Sequence, residues 1–374
     1  MRPVEQRNHA LDGLRAVAAL LIVVYHMGLS QTAVSFMAGG HPALQRLLSG
    51  FGSSGVELFF TLSAVVLLKP YMLGTRPMKV GEYLARRVKR LWPPFLAAWI
   101  LAGFAVAVIG RWPTWWPSSM PSFDLLAWGS QAFIFYAGTH AYNFAWWTLS
   151  IEIIFYVIAP LVTLTFVGRP VQFLVAAFAA SIAVAEFAAA CSFLPVPIVK
   201  FLAFASCFMG GVILARTGLP RAARIALAVV GAAWVAASLW SLSINGHIGY
   251  GLLYMAAVAE TLEPASGLRR LLGKPVFVWF GERSYSIFLT HFSAIVLASW
   301  AVSHVTPHKG IEFFIASRLL ACVLSLLVAC VLFEGVERRF AHGLVTTGQW
   351  LPWRARLVEP NHPAPGRSPA PSSP

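Results

Sequence analysis

Charge is scarce in this chain. Only 11% of its 374 residues are Asp, Glu, Lys or Arg, against roughly 25% in an ordinary soluble domain. Acidic residues are scarcest, 14 against 28 Lys and Arg, which leaves a net charge of +14. Cysteine is also rare: Cys191, Cys207, Cys322 and Cys330 each fall in an apolar run. These shortages exclude a soluble globular protein, a disordered chain and a disulfide-rich secreted scaffold. The thiols are expected to be small buried hydrophobes and carry no redox information. Apolar sequence is abundant, with 58% of residues hydrophobic and a mean hydropathy of +0.71. A membrane helix takes about 20 apolar residues, and this supply suffices for about ten.

Ten apolar segments can be drawn, at about 11–29, 52–73, 91–110, 146–166, 171–191, 199–216, 223–243, 248–265, 276–302 and 311–334. They describe an all-α polytopic membrane protein with about ten transmembrane helices and both termini cytoplasmic. With an inside N-terminus, five basic residues (Arg46, Arg111, Lys200, Lys309 and Arg318) fall outside. The other 23 of the 28 lie at the inner side, as the positive-inside rule predicts. An odd number of spans would instead place Arg338, Arg339, Arg354 and Arg356 outside. The basicity is thus mainly an orientation signal, with some attraction to anionic lipid, and it gives no reason to expect nucleic acid. Arg2 and Arg7 before the first run resemble a signal peptide, but polar residues inside that run argue for a retained helix. Two substantial outside loops are expected, about 30–51 and 111–145. The second carries Trp112, Trp115 and Trp116, an interfacial belt or, alternatively, a stacking platform for substrate. Residues 1–340 form the membrane domain. Residues 341–374, rich in Pro, Ala and Ser, are expected to be a disordered cytoplasmic tail. No internal repeat and no extra soluble domain are evident.

Ionisable residues inside a bilayer are costly and mark function by default. Arg15 and His26 sit eleven residues apart on the first segment. At about 100° and 1.5 Å per residue they share one helix face about 16 Å apart. Glu57, in Gly55-Val56-Glu57-Leu58-Phe59-Phe60, lies at a similar depth to His26 and is expected beside it, orienting the ring. The loop after the second span ends in Arg86-Arg87-Val88-Lys89-Arg90, which serves either as topology charge or as a polyanion site, since arginine clusters bind phosphates. Thr148, Ser150, Glu152 and His291 fall in the outer half. Glu334 and Glu337 are expected to pair locally with Arg338 and Arg339, and Glu260 and Glu263 receive no role. The pattern is a positive inner mouth beneath an outer acid/base layer. It suits a cytoplasmic phosphorylated donor and an outward-facing acceptor.

Here the residues resemble a known family. Leu11-Asp12-Gly13-Leu14-Arg15 leading to His26 is similar to the first-helix signature of membrane acyltransferase family 3, which includes bacterial O-acetyltransferases of surface polysaccharides and peptidoglycan, and macrolide acyltransferases. Gly55 to Ser63 resembles its second motif and Arg87-Val88-Lys89-Arg90 its Arg-x-x-Arg motif. Trp147 to Glu152, with Phe155, Tyr156 and Pro160, resembles the fourth. Ser284 to His291 resembles its Tyr-Ser-x-Tyr-Leu-x-His block, and Val336 to Phe340 its closing motif. The likeness covers residues 8–340. Departures are Ala64 for a usual Gly, Glu57 for a frequent Asp, Thr148 for a commoner Ser, and Ile153 where a second acid often stands. They weaken any transfer of acceptor specificity.

The resemblance implies an acyl-CoA donor, acetyl-CoA by family frequency, with its phosphates held by Arg15, Arg86, Arg87 and Arg90. His26 is the implied general base or acyl carrier, with Glu57 and Glu152 as further catalytic residues. Thr148, Ser150, Tyr285 and His291 are the implied acceptor contacts. No permanently bound cofactor and no metal are implied. The implied location is the bacterial plasma (inner) membrane, and the acceptor a carbohydrate or glycoconjugate such as surface polysaccharide, lipopolysaccharide or exopolysaccharide. Some relatives carry a fused extracytoplasmic esterase-like domain. Here transfer is expected to finish in the membrane domain or through a separate extracytoplasmic acyl-handling partner. Two alternatives stay open: acylation of a secreted small molecule such as a macrolide, and a proton-coupled secondary transporter.

Overall fold

The computed structural model describes residues 8–28, 39, 41–109, 124–133, 143–190, 193–240, 244–307 and 310–341. The tryptophans at 112, 115 and 116, the tail beyond residue 341, and Cys191 lie outside the described residues. All regular structure among the described residues is helical. In chain order the helices are α1 (His9–Gly28), α2 (Pro42–Ser53), α3 (Gly55–Met72), α4 (Val80–Ile109), α5 (Leu125–Ser130), α6 (Trp147–Phe166), α7 (Val171–Phe187), α8 (Val196–Ala203), α9 (Ala205–Arg216), α10 (Arg221–Trp240), α11 (Gly246–Leu262), α12 (Gly267–Leu272), α13 (Pro275–Glu282), α14 (Ser284–Ser303), α15 (Ile311–Leu332) and α16 (Arg338–Ala341). A π-helical turn, Phe333–Glu337, joins the last two.

Seven helical stretches are long and apolar enough to cross a membrane, and the bent pair α8–α9 makes an eighth if counted as one span. The chain is a multi-pass membrane protein. The segments at 171–191 and 248–265 form α7 and α11, each only 17 residues long. Helix α15 shows how the sequence divides lipid from protein. Ile315, Leu319, Val323, Leu327 and Val331 recur every four residues and are exposed. Ser317, Ala321, Ser325 and Ala329 recur at the same interval on another face and are buried, where α15 packs along α14. Small residues at a four-residue spacing let two membrane helices approach closely, while branched side chains fit the acyl chains outside. Among the seven long apolar stretches helix α14 is the most enclosed, with side chains from Ser284 to Val302 buried on most of its faces.

Four sequence expectations change. The stretch 42–53 is not an outer loop but helix α2, separated from α3 by Ser54 alone. The arginines at 86–90 do not end a loop. They lie on α4, which starts at Val80, where Lys79–Glu82 and Glu82–Arg86 pairs at three- and four-residue spacing support the extra turns. The segment 276–302 is broken at Arg283 into α13 and α14. Gly281 near that break presses directly on the Asp12 backbone of α1, leaving no room for a Cβ. Finally, Cys207 is buried, but Cys330 is only half-buried and Cys322 is exposed on the outer face of α15.

Candidate active site

Two connected cavities open where the start of α1 meets the inner end of α3 and the end of the chain. The mouth has a volume of about 530 Å³ and is lined by Asp12, Arg15, Val66, Arg90, Glu282, Arg283, Phe333, Glu334, Glu337 and Arg338. Its four carboxylates match its four guanidiniums. Glu334 bridges Arg283 and Arg338 at 2.8 and 2.7 Å, so Glu334 forms part of the expected local pairing. Glu337 does not. The π turn directs it inward, where it is buried and accepts a 2.6 Å hydrogen bond from the Ser286 hydroxyl. Single π turns recur at functional sites because they re-aim one side chain out of the helical register.

Beyond Arg15, Val66 and Arg90 the space narrows to about 30 Å³ between Ser63, Arg87, Leu91, Glu152, Tyr156 and Tyr285, with Phe59 at its far end. Here the charge is uneven: three arginines face one carboxylate. Glu152 is buried, accepts from Ser63 at 3.3 Å and is held by the Tyr156 hydroxyl one turn along α6. Arg87 lies over the rings of Tyr83 and Tyr156 at 5.4 and 5.9 Å. Arg15 and Arg90 act electrostatically on both Glu152 and Glu337. A buried carboxylate is tolerable only with such compensation. The narrow cavity is left with an excess of positive charge.

Past Phe59 a third space shrinks to about 10 Å³, walled by Ile22, Val56, Phe59, Thr148 and Phe288. The rings of Phe59 and Phe288 stack at 6.5 Å between centroids. One turn beyond Ile22 and Phe288 stand His26 and His291. His26 Nδ1 lies 2.9 Å from the Ile22 carbonyl and 3.1 Å from His291 Nε2. His291 Nδ1 lies 2.7 Å from the Phe288 carbonyl. Carbonyls only accept, so the bonding pattern assigns both protons: Nδ1–H of His291 donates to Phe288, and Nδ1–H of His26 donates to Ile22 and to His291 Nε2. The Nε2 of His26 is then left with its lone pair available. Two residues before His291, the Leu289 carbonyl accepts from Asn143 Nδ2 at 3.1 Å and from the Trp146 indole at 3.3 Å. These bonds tie the start of α6 to α14, and Thr148 in the first turn of α6 lines the small space with Ile22 and Phe288.

The expected companions of His26 are redistributed. Glu57 does not orient it. Its Oε1 lies 2.6 Å from His247 Nδ1 on α11. His26 takes its partner from α14 instead, because Glu57 sits on the face of α3 turned toward α11. Glu152, expected in the outer layer, and Tyr285, an implied acceptor contact, line the arginine cavity, and the Tyr285 hydroxyl donates to the Leu91 carbonyl at 3.0 Å. Ser150 is buried and lines none of these spaces. Arg86 lines neither of the first two cavities. It pairs with Glu82 at 3.6 Å and donates to Tyr71 at 3.1 Å. Arg15, Arg87 and Arg90 do converge. Glu260 and Glu263, left without a role by the sequence, both pair with Arg224.

The profile described as "Acyltransferase domain", of acyltransferase family 3, matches residues 8–334. The chain belongs to acyltransferase family 3. Two Staphylococcus aureus proteins, of strains COL and MSSA476, both named "Putative O-acetyltransferase", are 23% identical over 340 residues, covering 76% of this chain and 50% of theirs. Acyltransferase MdmB of Streptomyces mycarofaciens is 27% identical over 327 residues, 79% of this chain and 81% of its own. The chain spans about half the length of the Staphylococcus relatives. No solved structure matches. In this family member the quoted motifs meet in space. Arg15, Ser63, Arg87, Arg90, Glu152, Tyr156 and Tyr285 come from five stretches of sequence and wall one cavity. Sequence reasoning gives no role to Ser63, Tyr156 or His247 and only a local ion pair to Glu337. Three of these lie inside quoted motifs and could have been taken from them. His247 lies one residue before the segment drawn at 248–265 and belongs to no quoted motif.

Proposed function

We propose that this chain is a membrane O-acyltransferase of a bacterial plasma membrane that moves an acyl group, acetyl in the simplest case, from cytoplasmic acyl-CoA to a carbohydrate hydroxyl. The His26–His291 pair carries this reading. It stands at the end of a tapering space walled by arginine, with one imidazole nitrogen left free. Arg15, Arg87 and Arg90 suit the phosphates of CoA, because guanidinium forks bind phosphate oxygens in pairs. The pantetheine arm is slender enough to follow the taper once Phe59 and Phe288 part. At its end His26 Nε2 accepts the proton of the attacking hydroxyl. The hydroxyl oxygen forms the ester bond, the carbon–sulfur bond breaks, and the proton returns to the departing thiolate. In the alternative covalent route, Nε2 itself attacks the thioester carbonyl, and the alcohol then cleaves the acyl-imidazole. In either route His291 acts as a positioning residue, fixing the tautomer of His26 much as a carboxylate does in a hydrolase triad.

The test is transfer of radiolabelled acetyl from acetyl-CoA in proteoliposomes, paired with mass spectrometry of surface glycans and secreted metabolites from cells with and without the gene. His26→Ala is expected to abolish transfer while the protein still inserts and folds. Undiminished acylation by that variant removes His26 from the mechanism. Solute uptake without any acyl transfer would favour a transporter.

A further inference from the structure

On the opposite end of the bundle from the arginine mouth, a fourth cavity of about 320 Å³ opens between α2, α3, α10 and α11. It is separate from the three spaces already described and shares no lining residue with them. We propose that this cavity is the binding site for a polyhydroxylated, sugar-like ligand, held by the Glu57–His247 pair. The inference rests on the acyl-transfer reading only in making that ligand the acceptor.

The pair is built rather than incidental. Glu57 is 1% exposed, with one carboxylate oxygen on His247 Nδ1 at 2.6 Å. The other oxygen, Oε2, is buried and has no hydrogen-bond partner among the described residues. A buried carboxylate oxygen without a partner is costly. Glu57 lines the cavity, and a ligand donor entering there would supply the missing bond once it displaced the groups that cover Oε2. His247 Nδ1 donates to Glu57, and the half-exposed ring lines the cavity, with Nε2 hydrogen-bonded to no other described residue. His247 is held firmly. Asn245 caps the first turn of α11 by accepting from the His247 amide at 3.0 Å, and its own Nδ2 donates to Ala185 at 3.0 Å. The ring lies 4.5 Å from that of Phe204.

The ligand class follows from these groups. A carboxylate acceptor beside an imidazole nitrogen calls for a ligand with neighbouring hydroxyls, which can donate to Glu57 and either donate to or accept from His247. The Tyr250 hydroxyl, also buried and unpartnered among the described residues, can give or take a further bond. Arg46 at the rim opposes a metal cation, and among the described residues no three ligating side chains gather around one point. The volume is at the low end of the roughly 300–1,000 Å³ typical of ligand pockets, room for a single sugar ring.

The experiment uses the full chain in lipid nanodiscs with methyl β-D-glucopyranoside as the probe. Saturation-transfer NMR is expected to show ring-proton contact with the unmodified protein. Glu57→Gln and His247→Phe, the latter keeping the contact with Phe204, are each expected to weaken binding at least about tenfold, the loss of one charge-assisted hydrogen bond. If the probe is also acylated, its KM should rise by the same factor while the KM for acetyl-CoA stays within about twofold. Failure of the unmodified protein to bind the glycoside, or equal binding by both variants, overturns the proposal. Intact binding with no acyl transfer to any hydroxyl would instead support the site and overturn the acyl-transfer reading.

Discussion

Arg90 and Arg86 stand one turn apart on α4, and the sequence alone treats them as equivalent. The structure separates them. Arg90 lines both the mouth and the narrow cavity, whereas Arg86 is occupied by Glu82 and Tyr71. A charged hydrogen bond to phosphate contributes about 1.5–3 kcal/mol, so Arg90→Ala should raise the KM for acetyl-CoA about 10- to 150-fold. Arg86→Ala removes a partly exposed pair of the kind that contributes about 0.3–0.5 kcal/mol to a helix, and should shift that KM by about twofold or less. Because Arg90 also compensates Glu152 and Glu337, thermal stability is measured alongside. Arg90→Lys keeps the charge but not the two-pronged donor, and should fall between wild type and Arg90→Ala. The decisive comparison uses acetyl-pantetheine, which has no phosphate. There the Arg90 penalty should largely vanish. An equal penalty at Arg86, or a penalty undiminished on acetyl-pantetheine, would refute the assignment.

Three further outcomes are expected. His291→Ala should lower kcat by about 10²-fold or more with little change in donor KM, since it removes the group that fixes the base rather than the donor site; steady-state kinetics on both substrates checks this. Ala321→Leu should cost about 1–3 kcal/mol by overpacking the α14–α15 seam, whereas Val323→Leu on the exposed face of α15 should be nearly neutral; a thermal melt in detergent distinguishes them. Gly281→Ala should lower thermal stability and donor affinity together, because its Cβ would push α13 off Asp12 at the mouth.

The sequence made the helices legible because apolar runs are long and charges are few. It also singled out Arg15, Arg87 and Arg90, which line one cavity. It missed where helices begin when polar residues continue them, as at Val80 and Pro42, since hydropathy detects only the apolar part of a helix. The break at Arg283 was hidden because α13 and α14 are both apolar. The pairing of side chains was hidden for a different reason. Depth along a helix follows from residue count, but which face meets which neighbour depends on packing. Glu57 and His26 lie at similar depth, yet α3 turns Glu57 toward α11 and α14 brings His291 to α1. The inward turn of Glu337 depends on a π-helical step that no residue pattern announces.

The narrowing from about 530 to about 30 to about 10 Å³ at the stacked Phe59 and Phe288 rings also bears on the membrane itself. Moving one elementary charge through a membrane potential releases about 2.3 kcal/mol per 100 mV, so an open water column here would discharge the cell. Among the described residues, neither His26 nor His291 lines the spaces on the arginine side. Under the proposed function the two aromatic rings would act as an electrical seal. Any group handed across must displace that seal and let it close again without a continuous file of water forming behind it.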